Sequence, residues 1–219
     1  MRGKEYPLRA IKHAKTRLAI MRAFMERLKR DRFESISVAK VCEDAEVAQG
    51  TFFNYFPEKI DVLAYYLRLT MAKMIWTAER KSAAGKYLAK IEAVFSQVSK
   101  EWENSNLSCQ ILSVLLGQTE RPRWVEISGV EKRMAFPRCE GIEDTADECF
   151  GGWLKKCISS AIKSGELPPK ADQSDILVSL TTLMFGTFLS VRFHGCGRRD
   201  YHYKRQLHIL WNSMGVKGS

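Results

Sequence analysis

The chain has 219 residues, 45% hydrophobic and 27% charged, with a formal net charge of +10 and a pI near 9.4. That balance excludes a fibrous or disordered chain and leaves room for one large domain or two modest ones, each with a real core. No window holds eighteen uncharged apolar residues and no secretion signal opens the chain, so the expectation is a cytoplasmic protein with no membrane span and no export.

The positive charge is local. Residues 1–32 hold eleven Lys or Arg, among them Arg2, Lys4 and Arg17, against Glu5, Glu26 and Asp31. Such a run favours a polyanionic partner. The six cysteines (Cys42, Cys109, Cys139, Cys149, Cys157 and Cys196) are widely spread, and Cys42 and Cys157 fall at apolar helix positions, so disulfides are not implied.

In chain order, residues 1–15 read as a basic arm without helical periodicity. Thr16 is placed to cap a first helix, in which Ile20, Met21, Phe24 and Leu28 repeat with a period near 3.6, so this helix is expected to be amphipathic. Ser37 can cap a second, in which Val38, Val41, Cys42 and Ala45 share a face. Glu46-Val47-Ala48 reads as a tight turn, and Gln49 to Tyr55 as a third helix anchored inward by Phe52 and Phe56 and ended by Pro57. Gln49, Gly50, Thr51, Phe53, Asn54 and Tyr55 are left facing outward, a set able to reach phosphate oxygens, base edges and thymine methyls.

A long helix is expected from after Pro57 to about Arg80, another from Tyr87 to Trp102, and a short apolar one over Ile111–Leu116. From Gln118 to Asp144 the periodicity lapses. Asp144 is expected to open a helix with Ala146, Cys149, Phe150, Trp153, Leu154 and Cys157 inward, stopped by Gly165. The stretch from Asp172 to Phe193 carries too many apolar residues for one face, and a last helix runs from about Arg199 to Met214. No strand, repeat or low-complexity run is apparent. An apolar C-terminal helix pair that one chain cannot cover predicts a homodimer, with Leu183, Gly186, Ser190, Leu207 and Trp211 at its interface.

Ser37-Val38, Val41-Cys42, Ala45-x-Val47, Gly50-Thr51-Phe52-Phe53-x-Tyr55-Phe56 and Lys59 resemble the N-terminal signature of the tetracycline-repressor-like (TetR) family. The likeness covers about residues 10–65; the remainder matches only in layout. Glu46 stands where that pattern has glycine, Ala48 where it has a serine cap and Phe53 where it has tyrosine. The resemblance implies an all-α protein, with residues 1–57 a helix-turn-helix DNA-binding domain and 58–219 an effector-binding and dimerisation domain. It also implies a dimer made by the last two helices and a small molecule that acts on the spacing of the DNA-reading helices.

On this reading the chain is a sequence-specific transcriptional regulator, a repressor released by a ligand, acting on a palindromic double-stranded operator. Ser37, Thr51, Tyr55, Lys59 and Arg17 are assigned to phosphates, Gln49 and Asn54 to bases, Phe53 to a thymine methyl or sugar, and Gly50 to close backbone approach. Trp102, Trp124, Trp153, Met184 and Phe188 are candidate effector contacts. No cofactor, metal or catalytic residue is expected. The rivals are a cysteine enzyme using Cys139, Cys149 or Cys196 with His194 or His202, and a thiol- or metal-responsive regulator built on His194-x-Cys196 and His202; neither has a motif of the required spacing.

Overall fold

The computed structural model describes residues 5–102, 105–118, 123, 125–195 and 197–216; Arg2, Lys4, Trp124 and Cys196 lie outside these. Among them are ten α-helices, two short 3-10 turns and no strand. The chain divides into two compact units, Met1–Lys73 with Asn106–Asp147, and Met74–Ser105 with Glu148–Ser219.

The first unit begins with α1 (Leu8–Leu28), α2 (Val38–Asp44) and α3 (Gln49–Tyr55). Helix α1 starts well before the expected boundary, so residues 8–15 are helix rather than a loose arm, and the Thr16 hydroxyl donates to the Lys12 carbonyl within it instead of capping it (3.1 Å). Ser37 sits at the start of α2 but makes no side-chain capping bond, and neither does Ala48 before α3. Val41, Cys42, Phe52 and Phe56 are buried with Leu18, Phe24 and Leu28 in one core.

Between α2 and α3, Glu46 takes φ 54°, the one left-handed non-glycine residue among those described. Replacing it with glycine removes a Cβ–carbonyl clash worth roughly 1–2 kcal/mol, less the extra chain entropy of glycine. Glu46→Gly is therefore expected to stabilise this unit by about 0.5–1 kcal/mol, read as a higher urea midpoint with unchanged slope.

Helix α4 (Lys59–Lys81) contributes to both units, and α5 (Tyr87–Glu101) leads into α6 (Ser105–Leu116). Helix α6 is longer than its apolar run suggested and joins the first core through Leu107, Ile111 and Val114. Gln110 Nε2 donates to the Leu28 carbonyl (2.8 Å), satisfying an acceptor that the end of α1 would otherwise leave unpaired. The stretch in which the periodicity lapses contains α7 (Gly129–Ala135), which packs on α1. Its start is a capping box: Glu131 N donates to Ser128 Oγ, and the Glu131 carboxylate accepts from Ser128 N (2.7 Å).

The second unit is built on α5, α8 (Phe150–Lys163), α9 (Gln173–His194) and α10 (Arg199–Ser213). Helix α8 starts later than expected, capped by Cys149, so Ala146 and Cys149 are exposed rather than inward. Gly165 stops it in a left-handed conformation, with Leu167 N returning to the Ala161 carbonyl (3.1 Å). Helix α9 is capped by Asp172, which accepts from Ser174 N and Asp175 N. It is long and apolar enough to cross a membrane, with a mean hydropathy of 1.7 over its richest stretch, yet Ile176, Leu180, Met184 and Phe188 are core residues of this unit. Val178, Phe185, Leu189 and Phe193 on α9, with Tyr201 and Ile209 on α10, remain exposed.

Candidate nucleic-acid interface

Helix α3 presents its outer side because Phe52 and Phe56, both fully buried, hold the other side in the core. Gln49, Gly50, Phe53 and Asn54 are exposed, Phe53 by half of its surface; Thr51 and Tyr55 are half-buried at the rim. The Tyr55 ring meets the edge of His13 on α1 (4.9 Å between centroids), a contact that fixes its orientation and that no sequence pattern announced. A Cβ added at Gly50 would meet nothing within 4 Å, so this point of the helix is open to close approach from outside. Ser37 is exposed at the free N-terminal end of α2.

Two residues expected at phosphates are held elsewhere. Arg17 is 8% exposed, its guanidinium over the rings of Tyr65 (4.2 Å) and Phe56 (5.3 Å), and Nη1 donates to Glu131 Oε1 (2.8 Å) and the Glu126 carbonyl (3.1 Å). It faces the core because the period that buries Leu18 and Met21 puts position 17 on the same side, where only a paired charge is tolerable. Lys59 Nζ donates to the carbonyls of Phe33, Glu34 and Ile36 (3.1–3.2 Å), so its charge ties α4 to the segment before α2.

Glu131, 1% exposed, is the hub that sequence reasoning missed. Its carboxylate accepts from Arg17, from Tyr65 Oη (2.9 Å) and from the Ser128 backbone and hydroxyl, joining α1, α4 and α7. Burial, and then the Glu131 charge, push the Tyr65 phenol far above its ordinary range. The Ser128-x-x-Glu131 spacing was the available signal. Nearby, burial lowers the Lys132 ammonium pKa, and that side chain bonds the Thr145 carbonyl.

In the second unit, Trp102 lies against Phe188 (5.3 Å) and Phe185 (6.3 Å), while Trp153 and Met184 are buried and Trp153 stacks on Phe150. Of the five candidate effector residues, Phe188 alone among the described ones lines a 530 Å³ cavity of this unit, and none lines the wider groove between the start of α5 and the end of α10. Two expected interface residues are internal: Leu207 and Trp211 are buried, and Trp211 Nε1 donates to Glu92 Oε1 (2.9 Å). Their stripe on α10 faces α5 of their own chain. Leu183 and Gly186 are half-buried and Ser190 exposed.

Among the described residues no three His, Cys, Asp or Glu side chains are grouped to hold a metal. Burial, and then the charge of Glu79, push the Cys157 thiol up to about 12. A raised folded-state pKa supports the fold below the ordinary thiol value of 9.0, and that support is lost as pH rises from there towards about 12. At pH 8, iodoacetamide should label exposed Cys149 but leave Cys157 unmodified until the protein unfolds, as read by mass spectrometry.

No protein-family model matches the sequence, and no curated protein does. Solved structures do. FadR from Thermus thermophilus, a TetR-family transcriptional repressor in complex with lauroyl-CoA, is similar at 21% identity and TM-score 0.64, covering 93% of this chain and 97% of its own. The transcriptional regulator FadR from Bacillus subtilis, in complex with stearoyl-CoA, is 20% identical at TM-score 0.59, covering 92% and 98%. The TetR-family protein CprB from S. coelicolor A3(2) is 14% identical at TM-score 0.54, covering 91% and 89%. With an all-helical architecture, the α2–α3 pair and near full-length coverage in agreement, the chain has the fold of the TetR-family transcriptional regulators.

Proposed function

We propose that this protein is a dimeric, sequence-specific DNA-binding transcriptional regulator, a cytoplasmic repressor released by a small molecule. The observation that carries the reading is helix α3, locked inward by Phe52 and Phe56 and displaying Gln49, Gly50, Thr51, Phe53, Asn54 and Tyr55 outward. Gln49 and Asn54 read base edges, with the amide of Gln49 suited to adenine. Thr51, Tyr55 and Ser37, with the unpaired N–H groups that open α2, take phosphate oxygens.

The dimer is supported by the apolar side chains left uncovered on α9 and α10, and by Gly186, whose surroundings hold nothing within 4 Å of an added Cβ. A second copy covering Val178, Phe185, Leu189 and Phe193 removes that surface from water. Residues 1–57 contact DNA on this reading and 58–219 dimerise and bind the effector, while α6 and α7 buttress the DNA-reading helices from the later part of the sequence. Ligand control is supported by the acyl-CoA complexes of the two similar FadR proteins. A ligand relieves repression only if it binds the DNA-free state more tightly than the bound one.

Selection from a random duplex pool tests the reading. The expected result is a palindrome with half-sites about 34–36 Å apart, set by two copies of α3 in successive major grooves. Recovery of unrelated sequences, or of a single asymmetric site, would refute it.

A further inference from the structure

The 530 Å³ cavity of the second unit lies among the last turns of α5, the end of α9 and the start of α10. Its lining is strongly cationic: Lys100, Arg192, Arg198, Arg199 and Lys204 face a single carboxylate, Asp200. Arg198 already holds that carboxylate through two bonds of 3.0 Å. Lys100, Arg192 and Lys204 make no ion pair within 4 Å among the described residues, Lys204 reaching Asp200 only through its field, so this wall keeps an excess of positive charge that an anion would offset.

Two further features point inward. Ser99 is 6% exposed, lines the cavity and bonds no described residue, so its hydroxyl has only the cavity to address. The 15-residue helix α10 starts at the cavity with no side-chain cap from Arg198 and brings the positive end of its dipole there, although the Asp200 carboxylate already accepts from the Tyr201 N–H in that first turn. Beside this polar wall lie Phe188 and Val191, with the Arg199 guanidinium over the Phe188 ring (5.4 Å).

We propose that this cavity binds a phosphate-bearing organic ligand, its phosphate held by Arg192, Lys204, Lys100, the Ser99 hydroxyl and the α10 N-terminus, and its apolar part laid against Phe188 and Val191. A dianionic head answers several cations and two kinds of neutral donor at once, which a single carboxylate does not. The proposal names the ligand chemistry of the regulator proposed above and rests on that reading.

Calorimetry of the full-length protein with pyrophosphate, with citrate as the carboxylate control, tests it. Arg192→Gln and Lys204→Gln lie at exposed positions and should leave the melting temperature unchanged, while each weakens pyrophosphate binding by about tenfold or more. Ser99→Ala should weaken it less. Pyrophosphate that fails to bind at millimolar concentration, binds equally to the variants, or binds no better than citrate overturns the proposal. Release of the selected operator is measured separately by anisotropy: binding to the cavity without release leaves the anion site standing and sinks ligand-controlled repression.

Discussion

Glu131→Ala is expected to destabilise the first unit by about 3–5 kcal/mol, because removal of one partner leaves the other charge buried and unpaired. Arg17 is 8% exposed and cannot turn to solvent without leaving the rings of Tyr65 and Phe56, and the Tyr65 hydroxyl and Ser128 N–H lose their acceptor in the same step. Urea unfolding followed by circular dichroism reads the loss. The double variant Arg17→Met/Glu131→Leu should recover the part due to the unpaired charge, since a packed apolar pair needs no desolvation of charge, while the Tyr65 hydroxyl and Ser128 N–H stay without their acceptor. A loss below about 1 kcal/mol for Glu131→Ala would show that the carboxylate is not the hub described. The experiment also asks whether α7 holds α1 in place, as Glu131 is the residue that bonds both.

Gly50→Glu is expected to leave the fold intact and to lower operator affinity by roughly 100-fold or more, since a carboxylate set against phosphates costs several kcal/mol. The fold is spared for two reasons. An added Cβ meets nothing within 4 Å, and an acidic residue in the first turn of a helix is favoured by the dipole. Gln49→Ala, by contrast, should cost about 1–3 kcal/mol and relax base choice at one position of each half-site. Fluorescence anisotropy with the selected duplex measures both. If Gly50→Glu binds as well as the parent, α3 is not the element that enters the groove. Lys59→Gln serves as the internal control: its ammonium is held by three carbonyls, so the variant should lose stability while the salt dependence of DNA binding is unchanged.

Helix α3 spans Gln49–Tyr55 as expected, and α5 and α10 come within two residues of their expected limits. Residues 8–15 read as an arm because Arg9, Lys12, His13 and Lys15 interrupt their apolar positions, yet they form the start of α1 with Ala14 buried. Helix α7 is short and buries Val130, Glu131 and Lys132 together, so a polar pair inside the core hid its pattern. Arg17 and Lys59 illustrate the limit for site residues: residue type suggests a phosphate partner, but the groups that hold them come from segments about 114 and 25 residues away in sequence.

From the chain alone came the all-helical class, the tight turn at Glu46-Val47-Ala48, and the outward set on α3, because each depends on spacing within a few residues. The three-dimensional packing alone decided that Leu207 and Trp211 belong inside their own protomer, that α6 and α7 complete the first core, and that five cations gather around one cavity. Local propensity acts over a turn or two of helix, whereas burial and charge pairing are set by whichever distant segment arrives to exclude water.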